Sequence, residues 1–164
     1  TTTECTAYDE ATRVTYQEGA AAAGVIDNAA NRAIFTMNAT KTVYGGALVV
    51  AAADGYAKPG LTATGLVVLG VASETVDNDG ADGAAKVLVE GPVAPNGKRR
   101  LFRFKNAAAG DALTQAENGR DAYILDDETF TKTSAGRSVG GKLREIEKDA
   151  AGTATGYVWI ELPL

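Results

Sequence analysis

Residues 70–93, GVASETVDNDGADGAAKVLVEGPV, align without a gap on residues 141–164, GKLREIEKDAAGTATGYVWIELPL. The alignment matches Gly70 with Gly141, Glu74 with Glu145, Val87 with Val158, Glu90 with Glu161 and Pro92 with Pro163. It also sets Val87-Leu88-Val89 on Val158-Trp159-Ile160. A repeated segment is one structural unit used twice, so it constrains the fold more than any single motif does. The unit reads as a strand, a turn rich in Gly, Asp and Ala, and a second strand. The expectation is an all-β chain: a small duplicated β-barrel or sandwich of short strands. That architecture points to a scaffold and away from a catalytic cleft.

The remaining sequence divides at residue 40. Residues 41–164 read as the duplicated β-domain, with about eight to ten short strands separated by turn signals such as Asp54-Gly55 and Asn96-Gly97. RLFRFK at 100–105 alternates, with Phe102 and Phe104 on one face and Arg103 and Lys105 on the other. Residues 1–40 read as an extended N-terminal arm that orders against a partner. A short Ala-rich helix over GAAAAGVIDNAANRAIF is the competing reading, weakened by Gly19, Gly24 and Asn28. Val14, Tyr16, Ile34 and Phe35 are the arm residues expected to make apolar contacts.

At 164 residues the chain is long enough to bury roughly 70% of its unfolded surface as one domain. A lone cysteine, Cys5, excludes an internal disulfide. There is no histidine, which removes the commonest general base and metal ligand. Ser-His-Asp and Cys-His arrangements are therefore impossible. No apolar run approaches the ~20 residues needed to span a bilayer, and TTTECTAYDE does not read as a signal peptide. A net charge of −5 argues against general nucleic-acid binding.

Three motifs resemble ligand sites. Gly136-Arg137-Ser138-Val139-Gly140-Gly141-Lys142-Leu143 approaches the phosphate-cradling loop, but Leu143 replaces the required hydroxyl and the preceding TFTKTSA is no apolar strand. Asp77-Asn78-Asp79-Gly80-Ala81-Asp82 has the flavour of a calcium loop, yet its glycine is misplaced and Leu88 stands where a bidentate Glu is needed. Both read as turns. Lys98-Arg99-Arg100, continued by Arg103 and Lys105, is the one dense basic cluster of an acidic chain. It reads either as a solvated turn or as a contact with an acidic surface. The matched glutamates at 74/145 and 90/161 read as shared architecture, paired with Arg144 or Lys86, and not as an acid–base pair for hydrolysis.

Several segments in order resemble the capsid cement (decoration) proteins of tailed bacteriophages. They are Gly46-Ala47-Leu48-Val49 before Ala53-Asp54-Gly55, Leu69-Gly70-Val71-Ala72, and Lys86-Val87-Leu88-Val89-Glu90-Gly91. Then follow Ala109-Gly110-Asp111-Ala112-Leu113, Ala122-Tyr123-Ile124-Leu125-Asp126, Val139-Gly140-Gly141-Lys142-Leu143 and Val158-Trp159-Ile160-Glu161-Leu162. The match covers about residues 41–164 and leaves the arm outside it. The resemblance implies a non-enzymatic virion protein, made in the host cytoplasm, that binds the outer surface of a phage head. The implied partners are the major capsid protein and further copies of the chain, a trimer being favoured. No cofactor, metal, nucleic acid or membrane enters that picture, and no residue is catalytic. The residues expected to meet the shell are Val14, Tyr16, Ile34, Phe35, Lys98, Arg99 and Arg100. The alternatives are a tail or baseplate adaptor, a carbohydrate-binding β-module, and a hydrolase built on Asp/Glu pairs.

Overall fold

A computed structural model describes residues 26–27, 32–94 and 96–163. The first half of the described chain contains β1 (Ile26–Asp27), β2 (Arg32–Thr36), β3 (Lys41–Val43), β4 (Leu48–Ala51), β5 (Ala57–Pro59), β6 (Val67–Ala72), β7 (Val76–Asn78) and β8 (Lys86–Glu90). The second half contains β9 (Phe102–Asn106), β10 (Asp121–Ile124), β11 (Thr129–Thr131), β12 (Val139–Lys148) and β13 (Ala154–Glu161). Two 3₁₀ turns, Ala109–Asp111 and Gln115–Glu117, lie between β9 and β10. The fold is all-β.

The second half closes into a five-stranded barrel in the order β10-β11-β9-β13-β12. Its closing pair, β9 with β11, is parallel, with Phe130 opposite Asn106. The first half is a six-stranded sheet in the order β1-β2-β8-β6-β4-β5. Its two sides meet at one parallel bridge, Met37 with Ala57, where the Asn38 N–H donates to the Ala57 carbonyl at 2.8 Å.

These halves are two copies of one ladder. Val71↔Glu90 and Ala72↔Val89 recur as Lys142↔Glu161 and Leu143↔Ile160. Val49 faces Gly70 and Val50 faces Val68, leaving Leu69 bulged; Ala122 faces Gly141 and Tyr123 faces Val139, leaving Gly140 bulged. Val50↔Lys58 and Ala51↔Ala57 recur as Tyr123↔Thr131 and Ile124↔Phe130. Phe35↔Val87 recurs as Phe104↔Val158. Even the closing bridge is matched, Met37↔Ala57 by Asn106↔Phe130. Because a one-residue slip would turn every side chain to the other face, shared register with a shared bulge defines the same barrel. The duplication thus runs from β2 to β8 and from β9 to β13, well upstream of the segments that align by sequence. The copies differ in their connections: β3 and β7 pair as a two-stranded ribbon in the first, where the second carries its 3₁₀ turns and a long β12–β13 hairpin.

The interior of the first barrel is filled by Met37, Val43, Val49, Ala57, Ala72, Val87 and Val89. The second is filled by bulkier residues, among them Phe104, Ile124, Phe130, Leu143, Val158 and Ile160. That second core also takes in Leu48, Val50 and Val71 of the first barrel. Strand β4 is accordingly buried at all four positions. With a period of two, Val49 faces its own barrel while Leu48 and Val50 face the other. Each such side chain contributes about 1.5–3 kcal/mol by leaving water, so the barrels are held together by a true core.

The boundary at residue 40 is corrected by this arrangement. Strand β2 pairs along β8 from Arg32↔Glu90 to Thr36↔Lys86, and Met37 is fully buried. Residues 32–40 therefore belong to the first barrel and not to an arm, and the stretch read as a competing helix contains β1 and all of β2 but Thr36. Five residues of modest periodicity behind an Ala- and Asn-rich stretch carry too little local signal; the strand is specified by its partner β8.

Candidate functional surface

The linker between the barrels begins as a tight turn, with the Asn96 side-chain oxygen accepting the Lys98 N–H at 3.0 Å. Val93 and Arg99 bridge, and the Arg100 N–H donates to the Pro92 carbonyl at 2.7 Å. This geometry sends the two arginines in different directions. Arg99 pairs with Glu161 and donates to the Leu162 carbonyl at 2.9 Å, while Arg144 holds the other oxygen of Glu161. Arg100 pairs with Glu90 at 3.4 Å. Glu90 and Glu161 are equivalent positions of the two barrels, so the linker grips the same carboxylate in each copy. Of the three basic residues expected to meet a shell, Lys98 alone is exposed without a side-chain ion pair among those described.

The other expected residues are placed differently. Ile34 and Phe35 lie in β2, opposite Leu88 and Val87, and are half-buried. Phe35 packs against the first core. Val14 and Tyr16 lie outside the described residues.

Strand β9 presents the alternation read from the sequence: Phe104 is buried, and Arg103 and Lys105 face out. Arg103 Nε donates to both oxygens of Glu147, at 2.7 and 2.9 Å, and its guanidinium lies 3.6 Å from the centroid of the Tyr157 ring. Its hydrogen bond to Glu147 raises the Arg103 pKa and lowers that of Glu147. Lys105 pairs with Glu128 at 2.7 Å, which raises its pKa.

Arg103, Phe104, Lys105 and Tyr157 line one side of a groove of about 520 Å³ between the barrels. The opposite wall is the β3–β4 turn, Tyr44 to Ala47, and the end is closed by Asp127 and Glu128. Tyr44 is 60% exposed at its rim. Burial, followed by the neighbouring Asp126 charge, pushes the Asp127 carboxyl above its ordinary pKa. The groove sets the aromatic rings of Tyr44 and Tyr157 beside the charged side chains of Arg103, Lys105, Asp127 and Glu128. Sequence reading does not find it, because Tyr44 and Tyr157 come from different barrels.

Side chains of both ligand-like motifs are tied into the fold by hydrogen bonds. Asn78 is buried, donates to the carbonyls of Asn38 and Ala81 at 2.9 and 3.1 Å, and accepts the Gly80 N–H at 3.1 Å. Asp82 accepts from Asn38 Nδ2 and the Ala39 N–H, and Asp77 from Thr42 Oγ1. The loop ties β7 to the β2–β3 connection. In the phosphate-loop lookalike, Ser138 Oγ donates to the Ala63 carbonyl at 2.7 Å and accepts the Leu66 N–H at 2.9 Å. Lys142 there pairs with Asp121 at 2.9 Å. That segment is part of the contact between barrels.

No protein-family model, curated protein or solved structure is significantly similar to this chain. Among the described residues no helix is long and apolar enough to cross a membrane.

Proposed function

We propose that this chain is a non-enzymatic virion structural protein: a capsid decoration protein that binds the outer surface of a phage head and stabilises it by bridging neighbouring copies of the major capsid protein. The observation that carries the reading is the duplication itself. One rigid chain presents two copies of the same barrel, joined by a continuous core, at a fixed spacing. A shell is a lattice of identical subunits, and a scaffold with two similar surfaces can engage two of them at once. The second contact is then intramolecular, and avidity follows without any single strong site. The ordered resemblance of residues 41–164 to the cement proteins points the same way.

The test is co-sedimentation of the purified chain with mature, expanded capsids and with unassembled shell subunits. Binding to the assembled lattice alone is the expected result. Equal binding to free subunits, or none to either, would remove the reading.

The groove supports a second reading, a carbohydrate-binding β-module. Tyr44 and Tyr157 offer aromatic faces beside Arg103, Asp127 and Glu128, which can exchange hydrogen bonds with hydroxyls. Saturable binding of neutral oligosaccharides, abolished by Tyr44→Ala, would favour it.

A further inference from the structure

The contact between the barrels is heterologous. The first barrel contributes the outer face of β4 and β6 and the β5–β6 loop. Leu48 N–H donates to the Asp127 carbonyl at 2.8 Å, Leu61 bridges Asp126, and Thr62 Oγ1 donates to the Leu125 carbonyl at 2.7 Å. The second barrel contributes its β10–β11 turn, Leu125 to Asp127, together with Ser138. Because the barrels share one ladder, each contains both kinds of surface. Each kind is used once inside the chain and left over once.

The leftover surfaces can be named from the register. On the first barrel, Ala52–Asp54 stands where the second has Leu125–Asp127, and Val67 stands where it has Ser138. On the second barrel, Asp121, Tyr123, Val139 and Lys142 stand where the first has Leu48, Val50, Val68 and Val71. Val67 is 61% exposed and Val139 41% exposed, whereas Ser138 is only 7% exposed in the internal contact. Of the exposed large apolar residues among those described, Tyr44, Leu61, Val67, Leu101 and Val139, Val67 and Val139 are the two that lie within strands. Each falls on one of the two leftover surfaces. Two residues before Val139 in the chain, Arg137 donates through Nη1 to the Ala135 carbonyl at 3.2 Å and keeps a buried Nε without a hydrogen-bond partner.

We infer that a second copy of this chain docks there, the Ala52–Asp54 turn and Val67 of one copy meeting Asp121, Tyr123, Val139 and Lys142 of the next. The contact repeats between chains the arrangement already made within one. Asp121 and Lys142 replace Leu48 and Val71, so less apolar surface is buried and the association is weaker than the internal one. A heterologous contact of this kind builds a ring if its rotation closes, and an open chain otherwise. The inference stands apart from capsid binding: it concerns the free protein in solution.

The experiment is analytical ultracentrifugation of the full chain from micromolar to millimolar concentration, for wild type, Val67→Asp and Val139→Asp. Wild type is expected to associate reversibly, and each variant to sediment as a monomer with an unchanged circular dichroism spectrum. Val67→Asp retains one intact surface and Val139→Asp the other. Their mixture should therefore form a one-to-one dimer that neither forms alone. A monomeric wild type across the range, variants that associate like wild type, or a mixture that stays monomeric would each overturn the inference.

Discussion

Gly141 lies directly against the carbonyl of Glu161: a Cβ added there would stand 2.5 Å from that oxygen. Its counterpart Gly70 holds the same relation to Glu90, at 2.4 Å, with φ at +150°. Both glycines are matched in the sequence repeat, and both are required by close approach of the neighbouring strand.

Replacing either glycine by alanine should therefore destabilise the fold by about 1–3 kcal/mol, because backbone must move to admit the methyl group. Urea denaturation measures it. If Gly141→Ala were neutral, the shared register at this position would be wrong.

The barrels also exchange volume between two equivalent positions. Phe130 occupies the place of Ala57, and Gly140 that of Leu69. A Cβ on Gly140 would lie 2.4 Å from the Phe130 ring, while Leu69 packs into the first core where Ala57 leaves room. Phe130→Ala should cost about 3–5 kcal/mol through the cavity it leaves. Gly140→Leu alone should also destabilise. The double variant, which imitates the first barrel, should lose less than the sum of the two. Strict additivity would show that the two sites do not share one volume.

Truncation separates the arm from the barrel. Deleting residues 1–25 removes no described strand, so cooperative unfolding should persist; any loss of capsid binding would then point to Val14 and Tyr16. Deleting residues 1–40 removes β2 and Met37 and should abolish the folded first barrel. Thermal melts followed by circular dichroism distinguish the two, and a well-folded 41–164 fragment would contradict the placement of β2.

Two carboxylates give stability opposite dependences on pH. Glu117 accepts the Thr114 N–H and Oγ–H, both at 2.7 Å, which lowers its pKa. Its contribution is present above the ordinary carboxylate range and lost as pH falls below about 4. Asp127 is raised, chiefly by burial. Its favourable protonated state is present at low pH and lost as pH rises through its elevated pKa. Glu117→Gln should thus destabilise the protein at pH 7 and not in acid. Asp127→Asn should stabilise it at pH 7 and not in acid. Denaturation curves at both pH values check the signs, and the same sign for both variants at pH 7 would refute the assignment.

The linker arginines should matter modestly and in a salt-dependent way. Arg99 and Arg100 are partly exposed, so each alanine substitution should cost no more than about 1 kcal/mol, and less at high ionic strength. Equal losses at low and high salt would indicate that packing, and not charge, is their role.

Strand character, the repeat at Gly70 and Gly141, and the two-faced pattern of β9 were legible in the sequence because they are local. Alternation and glycine placement leave a mark on the residues that carry them. The upstream half of the duplication was not legible. Leu48 answers to Asp121 and Val50 to Tyr123, since one face of β4 is buried against the second barrel and the equivalent face of β10 is not. Divergent burial erases identity while the backbone ladder persists. The destinations of Arg99 and Arg100 were hidden for a related reason: a run of basic residues looks the same whether it faces a partner or reaches back to Glu161 and Glu90. Sequence alone determined that the chain would be built of short, repeated strands. The tertiary structure decided that each repeat closes into a barrel, that the first barrel's outer face becomes part of the second barrel's core, and which charges are paired within the chain. Those outcomes depend on pairing between residues far apart along the chain, and no local pattern records them.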